Sequence, residues 1–491
     1  MHPATSLAVL GLVVALSACA PFEPRRGIEE TQALSAARGV AHSNIDAVDC
    51  STPARALGGD ALARLDGGQA LAVALACNAT LAADQARLGI ANADAFEARR
   101  LVNPALRLGV ENAADGGTRL EFGIAANFTR LILRGPRTRL AEGEFLRAQQ
   151  LLAGRVLELA VEAESARAEL VTSRQLAMAR AMIAEAADVS AQLAERYRAA
   201  GNLPSREVAL ARARAAEARA ELHRADAATA AARARLQRVL GVTRLDAEIV
   251  GTAAAAPVDL ADDLDVLQAR AAEQRLDLAA ARGLVDLLAD SARSTRRLAW
   301  LGKFEVEVEG EREGGTTRLL GPTLTIELPL FHQGQGARAR ADARVAWSTA
   351  ERRRLEVEVA SEVEEARDRY LASAARVADH RQHIRPARAA VVARMQEEVN
   401  WMLRGVFELI EARIDELEAA AATFEALGEH ARARAALERA LGTRLAAVEG
   451  AAIEAAALLG DGTESILAPV TRTRPASPGA AVHPHPHGDR P

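Results

Sequence analysis

Aromatic residues make up only 3% of this 491-residue chain, cysteine occurs three times, and there is no surplus of positive charge. Each shortage removes a class of protein. A net charge of -5 and a pI near 6.1 leave no basic excess to neutralise phosphates, which sets nucleic-acid binding aside. No Gly-rich phosphate loop follows a strand, and neither H-E-x-x-H nor C-x-x-C occurs, so no enzyme, cofactor or metal centre is expected. His380 and His383, three apart on an expected helix, could present two ligands on one face; among so many Arg and Glu neighbours the plainer reading is surface residues. What remains is rich in Ala, Arg, Glu and Leu, with hydrophobic residues at 49%, the mixture of long helices.

The one early apolar run, Leu7 to Leu16, is too short to cross a bilayer as a helix and reads as a signal-peptide core. It ends in Leu16, Ser17, Ala18 and Cys19. This quartet resembles the bacterial lipobox, which implies a signal peptide over 1–18 and a lipid attached to Cys19. Residues 19–66 then form the tether of that anchor, and the mixture of Pro, Gly and polar residues from Pro21 to Asp66 predicts an unstructured stretch. Cys50 and Cys77 are the other cysteines. An oxidising periplasm would permit a bridge between them, with two unconnected thiols as the alternative.

The middle of the chain is a repeat with a period near 201 residues. Leu236, Arg238, Leu240 and Gly241 of LQRVLG return as Leu437, Arg439, Leu441 and Gly442 of LERALG, and Gly135 returns as Gly336. The two copies, 67–250 and 251–450, share one order of pattern. A helix (Gln69 to Arg100; Asp262 to Arg297) leads into period-two alternation over Asn103–Asn112 and Arg119–Thr129, and in the second copy over Lys303–Arg312 and Pro322–Leu330. Leu106, Leu108 and Val110 share one face and Arg107, Gly109 and Glu111 the other; Phe304, Val306 and Val308 alternate with Glu305, Glu307 and Glu309. Glycine turns (Gly116, Gly117; Gly314, Gly315) make each pair a hairpin.

After each hairpin comes a very long helix. The 67 residues between Pro136 and Pro204 would reach roughly 100 Å if continuous, and helices of that length need a buried coiled-coil seam. A return helix runs from Ser205 to Leu240, and the second copy repeats the scheme through Pro386 and Gly405 to Leu441. Residues 451–491 form a tail in which His483, His485 and His487 alternate with Pro; a His tract can bind metal, while a tail of no defined role is the plainer reading.

Ten-residue strands with one apolar and one polar face suit an outer-membrane barrel, because lipid tolerates strands only in a closed cylinder. Four strands cannot close one, so several copies would have to share it; a small soluble β-sandwich set between helices is the alternative reading of the same strands.

Here the chain resembles the outer membrane factor family of TolC-like efflux proteins, over roughly Leu65 to Leu445. The residues that carry the resemblance are Gly321 to Phe331 (GPTLTIELPLF) followed by Gly334, Gln335 and Gly336, similar to the heavy-metal efflux branch, with Asn103, Pro104, Tyr197 and Gly201 in support. Met402 to Leu409 (MLRGVFEL) is similar to members that accompany copper tolerance systems, although Met402 replaces the family's glycine. The resemblance implies a homotrimer with a shared 12-stranded barrel in outer-membrane lipid and an α-helical periplasmic tunnel. Its partners would be a periplasmic adaptor and an inner-membrane pump of the resistance-nodulation-division type. Its role would be a passive exit duct for heavy-metal cations such as copper; a type I secretion or multidrug duct, or a structural coiled-coil lipoprotein without a pore, are the alternatives.

Two sets of residues would carry that function. Alternation sends Glu111, Glu121, Glu305, Glu307, Glu309 and Glu327 to the pore, where threefold copying makes acidic rings that draw cations. Any barrel also needs polar lumen residues, which is the plainer account of the same pattern. Gly201, Leu203 and Pro204 of the first tip, with Gly405, Val406 and Glu408 of the second, are the expected adaptor contacts; a plain interhelical turn would also use Gly and Pro.

Overall fold

A computed structural model describes residues 21–41, 48–59, 63–112, 118–250, 263–298, 302, 304–313, 316–331 and 333–445. Cys19, the turn glycines of both hairpins and the His-Pro tail lie outside these residues.

Helices α1 (Ile28–Ala36) and α2 (Pro53–Ala56) precede a short strand β1 (Ala63–Leu65). The first copy then runs α3 (Gly67–Cys77), α4 (Ala79–Arg99), β2 (Ala105–Asn112), β3 (Thr118–Asn127), α5 (Phe128–Ile132), α6 (Arg134–Ala199), α7 (Ser205–Leu240) and β4 (Ala247–Ile249). The second runs α8 (Leu264–Gln274), α9 (Leu276–Leu298), β5 (Phe304–Glu313), β6 (Thr316–Ile326), α10 (Gln335–Asp379), a π turn (His380–Ile384), α11 (Arg385–Asn400) and α12 (Val406–Leu441). The starts of the long helices keep the spacing of 201, Arg134 with Gln335 and Ser205 with Val406.

Where the sequence predicts one helix before each hairpin, the chain makes two. The first break is at Asn78, whose backbone is extended and whose side chain accepts from the Leu81 amide (3.0 Å) while donating to the Val239 carbonyl (3.0 Å). That capping satisfies amide groups which an uninterrupted helix would not leave open. Arg275 makes the matching break in the second copy. Both breaks receive the end of a return helix. Gly241 and Gly442 lie in the left-handed region (φ +72° and +68°), and a Cβ on Gly241 would come within 2.2 Å of the Cys77 carbonyl oxygen. The glycines of LQRVLG and LERALG are therefore a helix stop and a close backbone contact at once.

The described residues form two compact units that do not follow the repeats, since each draws on both copies. One comprises residues up to Val171, Ala230–Arg376 and Gly428 onward; the other comprises Thr172–Thr229 and Val377–Leu427. In the first unit, Leu236 and Leu240 pack with Leu65, Leu81 and Leu159, and their counterparts Leu437 and Leu441 pack with Leu267, Val363 and Tyr370. The repeated motif is thus a repeated core. Buried His430 adds a polar contact to Ser373 Oγ (3.0 Å), and burial, with Arg434 nearby, pushes its pKa down to about 4 and keeps the ring neutral.

The described residues after Pro21 are not the unstructured stretch that composition predicts. Asn92 donates to the Glu23 carbonyl, Arg26 pairs with Glu142 (3.0 Å) and lies over the Phe145 ring, and Arg38 Nε donates to the Gln274 carbonyl (2.7 Å). Cys50 and Cys77 form a disulfide, and the Thr243 amide donates to the Cys50 carbonyl beside it. The segment is held by partners far away in sequence, which local composition does not display. β1 also pairs in parallel with β4, joining the entry and exit of the first copy.

The second unit has a small-residue seam of Ala187, Ala191 and Ala215, fringed by ion pairs such as Arg180–Glu418 (3.0 Å) and Arg388–Asp415 (2.7 Å). The π turn lies just before Pro386, whose ring and missing amide disrupt the regular helical ladder. His380 is buried with Nδ1 3.4 Å from Thr423 Oγ1, whereas His383 is exposed beside Asp379. The two imidazoles have different surroundings, and no cluster of three metal-ligating side chains exists among the described residues. No described helix is long and apolar enough to cross a membrane.

Candidate functional site

The four long strands form one antiparallel sheet in the order β2-β3-β5-β6, so the hairpins of the two copies join through β3 and β5. The outer edges of β2 and β6 pair with no strand among the described residues. Register decides the faces. Leu106 stands opposite Ile124 and Ile124 opposite Val308, while Leu108 faces Phe122 and Val306 faces Leu324. This apolar face lies open: Leu106, Leu108 and Val110 are 67–69% exposed, and Ile124, Leu324 and Ile326 are 55% exposed. Covering each large aliphatic side chain would be worth about 1.5–3 kcal/mol, so a face of this extent requires an apolar cover.

The opposite face carries the carboxylates. Glu121, Glu305, Glu307 and Glu309 share it with Arg107, Gly109, Gly123, Thr323 and Thr325. Glu307 is 8% exposed and its Oε2 lies 2.6 Å from Arg107 Nη1, while Glu309 accepts from the Thr323 hydroxyl. The register places Glu111 on this face too, though its side chain lies outside the described residues. Glu327 departs from expectation. β6 starts at Thr316 and stops at Ile326, because the chain turns before Pro329, where Leu330 N donates to the Leu328 carbonyl. Glu327 therefore sits one residue past the strand, its carbonyl close to Gly302, and strand alternation does not carry it.

The tips of the second unit are a matched pair. In the first, Gly201 has φ +80°, the Asn202 amide donates to the Tyr197 carbonyl and the Gly201 amide to the Arg198 carbonyl, which is a Schellman stop. The second repeats both bonds with Leu403 to Glu398 and Met402 to Val399, but its left-handed residue is Met402 at φ +62°. Tyr197 meets Phe407 edge to face at 5.6 Å, which brings the tips together. Leu203 and Val406 are half-buried, and Gly201, Pro204, Gly405 and Glu408 are exposed. Glu408 accepts from the Gly405 amide and pairs with Arg404 (3.4 Å), capping α12.

Beside these stand Trp401, Met402 and Leu403, all strongly exposed; the motif read from the sequence starts at Met402 and leaves out Trp401. Three successive large apolar residues at an expected turn were the signal. Met402 is 93% exposed, so its side chain packs on little while its backbone occupies a costly conformation. Met402→Gly should raise stability by about 0.5–1 kcal/mol, read as a higher thermal midpoint; a lower one would show that the side chain is held.

No protein-family model matches the chain, and no curated protein matches it. Solved structures do. The fold is similar to that of a membrane protein from Pseudomonas aeruginosa (TM-score 0.65, 17% identity, covering 78% of this chain and 93% of that one). It is similar to the Campylobacter jejuni CmeC outer membrane channel (TM-score 0.63, 13% identity, 82% and 93% covered). It also resembles the outer-membrane channel OprN (TM-score 0.62, 19% identity, 77% and 89% covered). At these identities the likeness is one of fold.

Proposed function

We propose that the chain is one subunit of an outer-membrane efflux channel, a passive duct and not an enzyme. The observation that carries this reading is the sheet. It is apolar and exposed on one side, acidic on the other and open at both edges, within a fold shared with outer-membrane channels. Copies that join β6 of one to β2 of the next satisfy both edges, and three copies give twelve strands, enough for a closed cylinder. The apolar face then meets lipid and the acidic face meets water.

Cys19 anchors the mature chain by its lipid, and the tips around Gly201, Leu203, Pro204, Gly405, Val406 and Glu408 dock a periplasmic adaptor that joins the channel to an inner-membrane pump. The acidic face favours cations, which suits heavy-metal ions as substrate. A strain lacking the chain should become hypersensitive to copper, zinc or cadmium; sensitivity to organic toxicants alone would assign a multidrug duct instead. Photo-crosslinkers at Leu203 and Val406 should capture the adaptor, and failure at both positions would move the docking site elsewhere.

A further inference from the structure

Arg107 carries the one guanidinium among the described side chains on the acidic face of the sheet. It belongs to β2, and its partner Glu307 belongs to β5, with β3 lying between. The pair therefore reaches over two strand spacings, about 10 Å between backbones. The reach is possible because β3 presents small residues beneath it. Arg107 stands opposite Gly123 and Glu307 opposite Ala125, and a Cβ on Gly123 would come within 3.0 Å of Glu307 Oε1.

The partners are unequal in exposure. The Arg107 side chain is 61% exposed and that of Glu307 is 11% exposed. Arginine is thus the member of the pair that faces the surroundings, whereas Glu121 and Glu309 on the same face are exposed carboxylates. The Glu307 carboxylate is largely shielded from an aqueous ion at this face, and Arg107, its ion-pair partner, is the exposed charge of the two.

We propose that Arg107 is a specificity-determining residue, which withdraws Glu307 from the acidic face and limits how strongly that face prefers cations. The proposal rests on the reading that this face lines a water-filled pore. Copied around a ring, the guanidinium opposes the field of Glu121, Glu305 and Glu309 at short range, where salt screens least. The channel then attracts cations without the full set of carboxylates that would hold them back, since conduction requires ions to leave as well as enter.

Reversal potentials of the full-length protein in planar bilayers, under a potassium chloride gradient, test this directly. Arg107→Gln should raise the cation-to-anion permeability ratio at least twofold, Arg107→Lys should leave it near wild type, and Glu307→Gln should lower it by exposing an unpaired guanidinium. The double variant Arg107→Gln with Glu307→Gln should return to the wild-type ratio. Arg107→Cys offers a reading after assembly: a cationic thiol reagent added to the open channel should restore the wild-type ratio, and an anionic one should move it further away.

An unchanged ratio in Arg107→Gln channels that still conduct would overturn the proposal. If neither arginine variant assembles, the ratio of Glu307→Gln decides, and no fall in it overturns the proposal equally. A wild-type protein that forms no pore at all would instead remove the channel reading itself.

Discussion

Glu438→Ala should destabilise the protein by about 3–5 kcal/mol, the loss expected when one member of a buried ionic group is removed. Glu438 is 2% exposed on α12, and its two oxygens serve three donors. Arg434 Nε lies at 3.1 Å and the Leu445 amide at 3.3 Å from Oε1, while Arg444 Nε lies at 3.0 Å from Oε2. The carboxylate balances two guanidiniums that are largely desolvated, so its removal leaves Glu164, which acts on both electrostatically, to balance two charges in a poor solvent for charge.

The damage should spread along the chain. The Arg444 amide donates to the Arg38 carbonyl, and Arg38 in turn donates to Gln274, so the turn after α12 fastens both the N-terminal segment and the end of α8. Faster hydrogen exchange around 442–445 should accompany the fall in stability. Glu438→Gln keeps the shape and should cost less than the alanine variant. A loss under about 1 kcal/mol for alanine would contradict this account, because an exposed pair would give that value.

Cys50→Ser should cost about 3.5 kcal/mol through the freedom it returns to the unfolded chain. The disulfide closes a separation of 27 residues, and loop-closure entropy for that length sets the figure. Its structural consequence is local. Without the bridge, Cys50 is held by the Thr243 amide and its neighbour Ser51 by Arg244 and the Thr243 hydroxyl, a few exposed hydrogen bonds. The segment 48–57 should become a site of protease cleavage while the helices stay intact. A reductant should reproduce the effect in the wild type and add nothing to Cys50→Ser. Equal denaturation midpoints with and without reductant would show that the bridge contributes no stability.

The parts of the fold that the sequence displayed are those held by local pattern. Alternation at Leu106, Leu108 and Val110 marks a strand and its faces, and LQRVLG and LERALG mark two segments that pack in corresponding ways, each in its own core cluster. What escaped depends on distant partners. Pro21 to Asp66 reads as a linker because Glu142, Gln274, Cys77 and Arg444, which hold it, are tens to hundreds of residues away. The break at Asn78 reads as helix because its purpose is to receive Gly241.

At the candidate site the sequence placed six carboxylates on one face, and the register agrees for five of them, Glu111, Glu121, Glu305, Glu307 and Glu309. It also placed Arg107 there by the same alternation, but a one-dimensional pattern has no means of showing that a side chain crosses an intervening strand to reach Glu307. Glu327 shows the opposite limit, since alternation was extended to Leu330 although the strand ends at Ile326 and the chain turns at Pro329.

Everything functional here depends on the four-stranded sheet being one third of a cylinder set between lipid and water. The most direct measurement is the conductance of the purified mature protein added to a planar bilayer, together with its mass in detergent. Stepwise, cation-preferring pores from a species of three chains are the expected result. A water-soluble single chain that leaves the bilayer silent would contradict it.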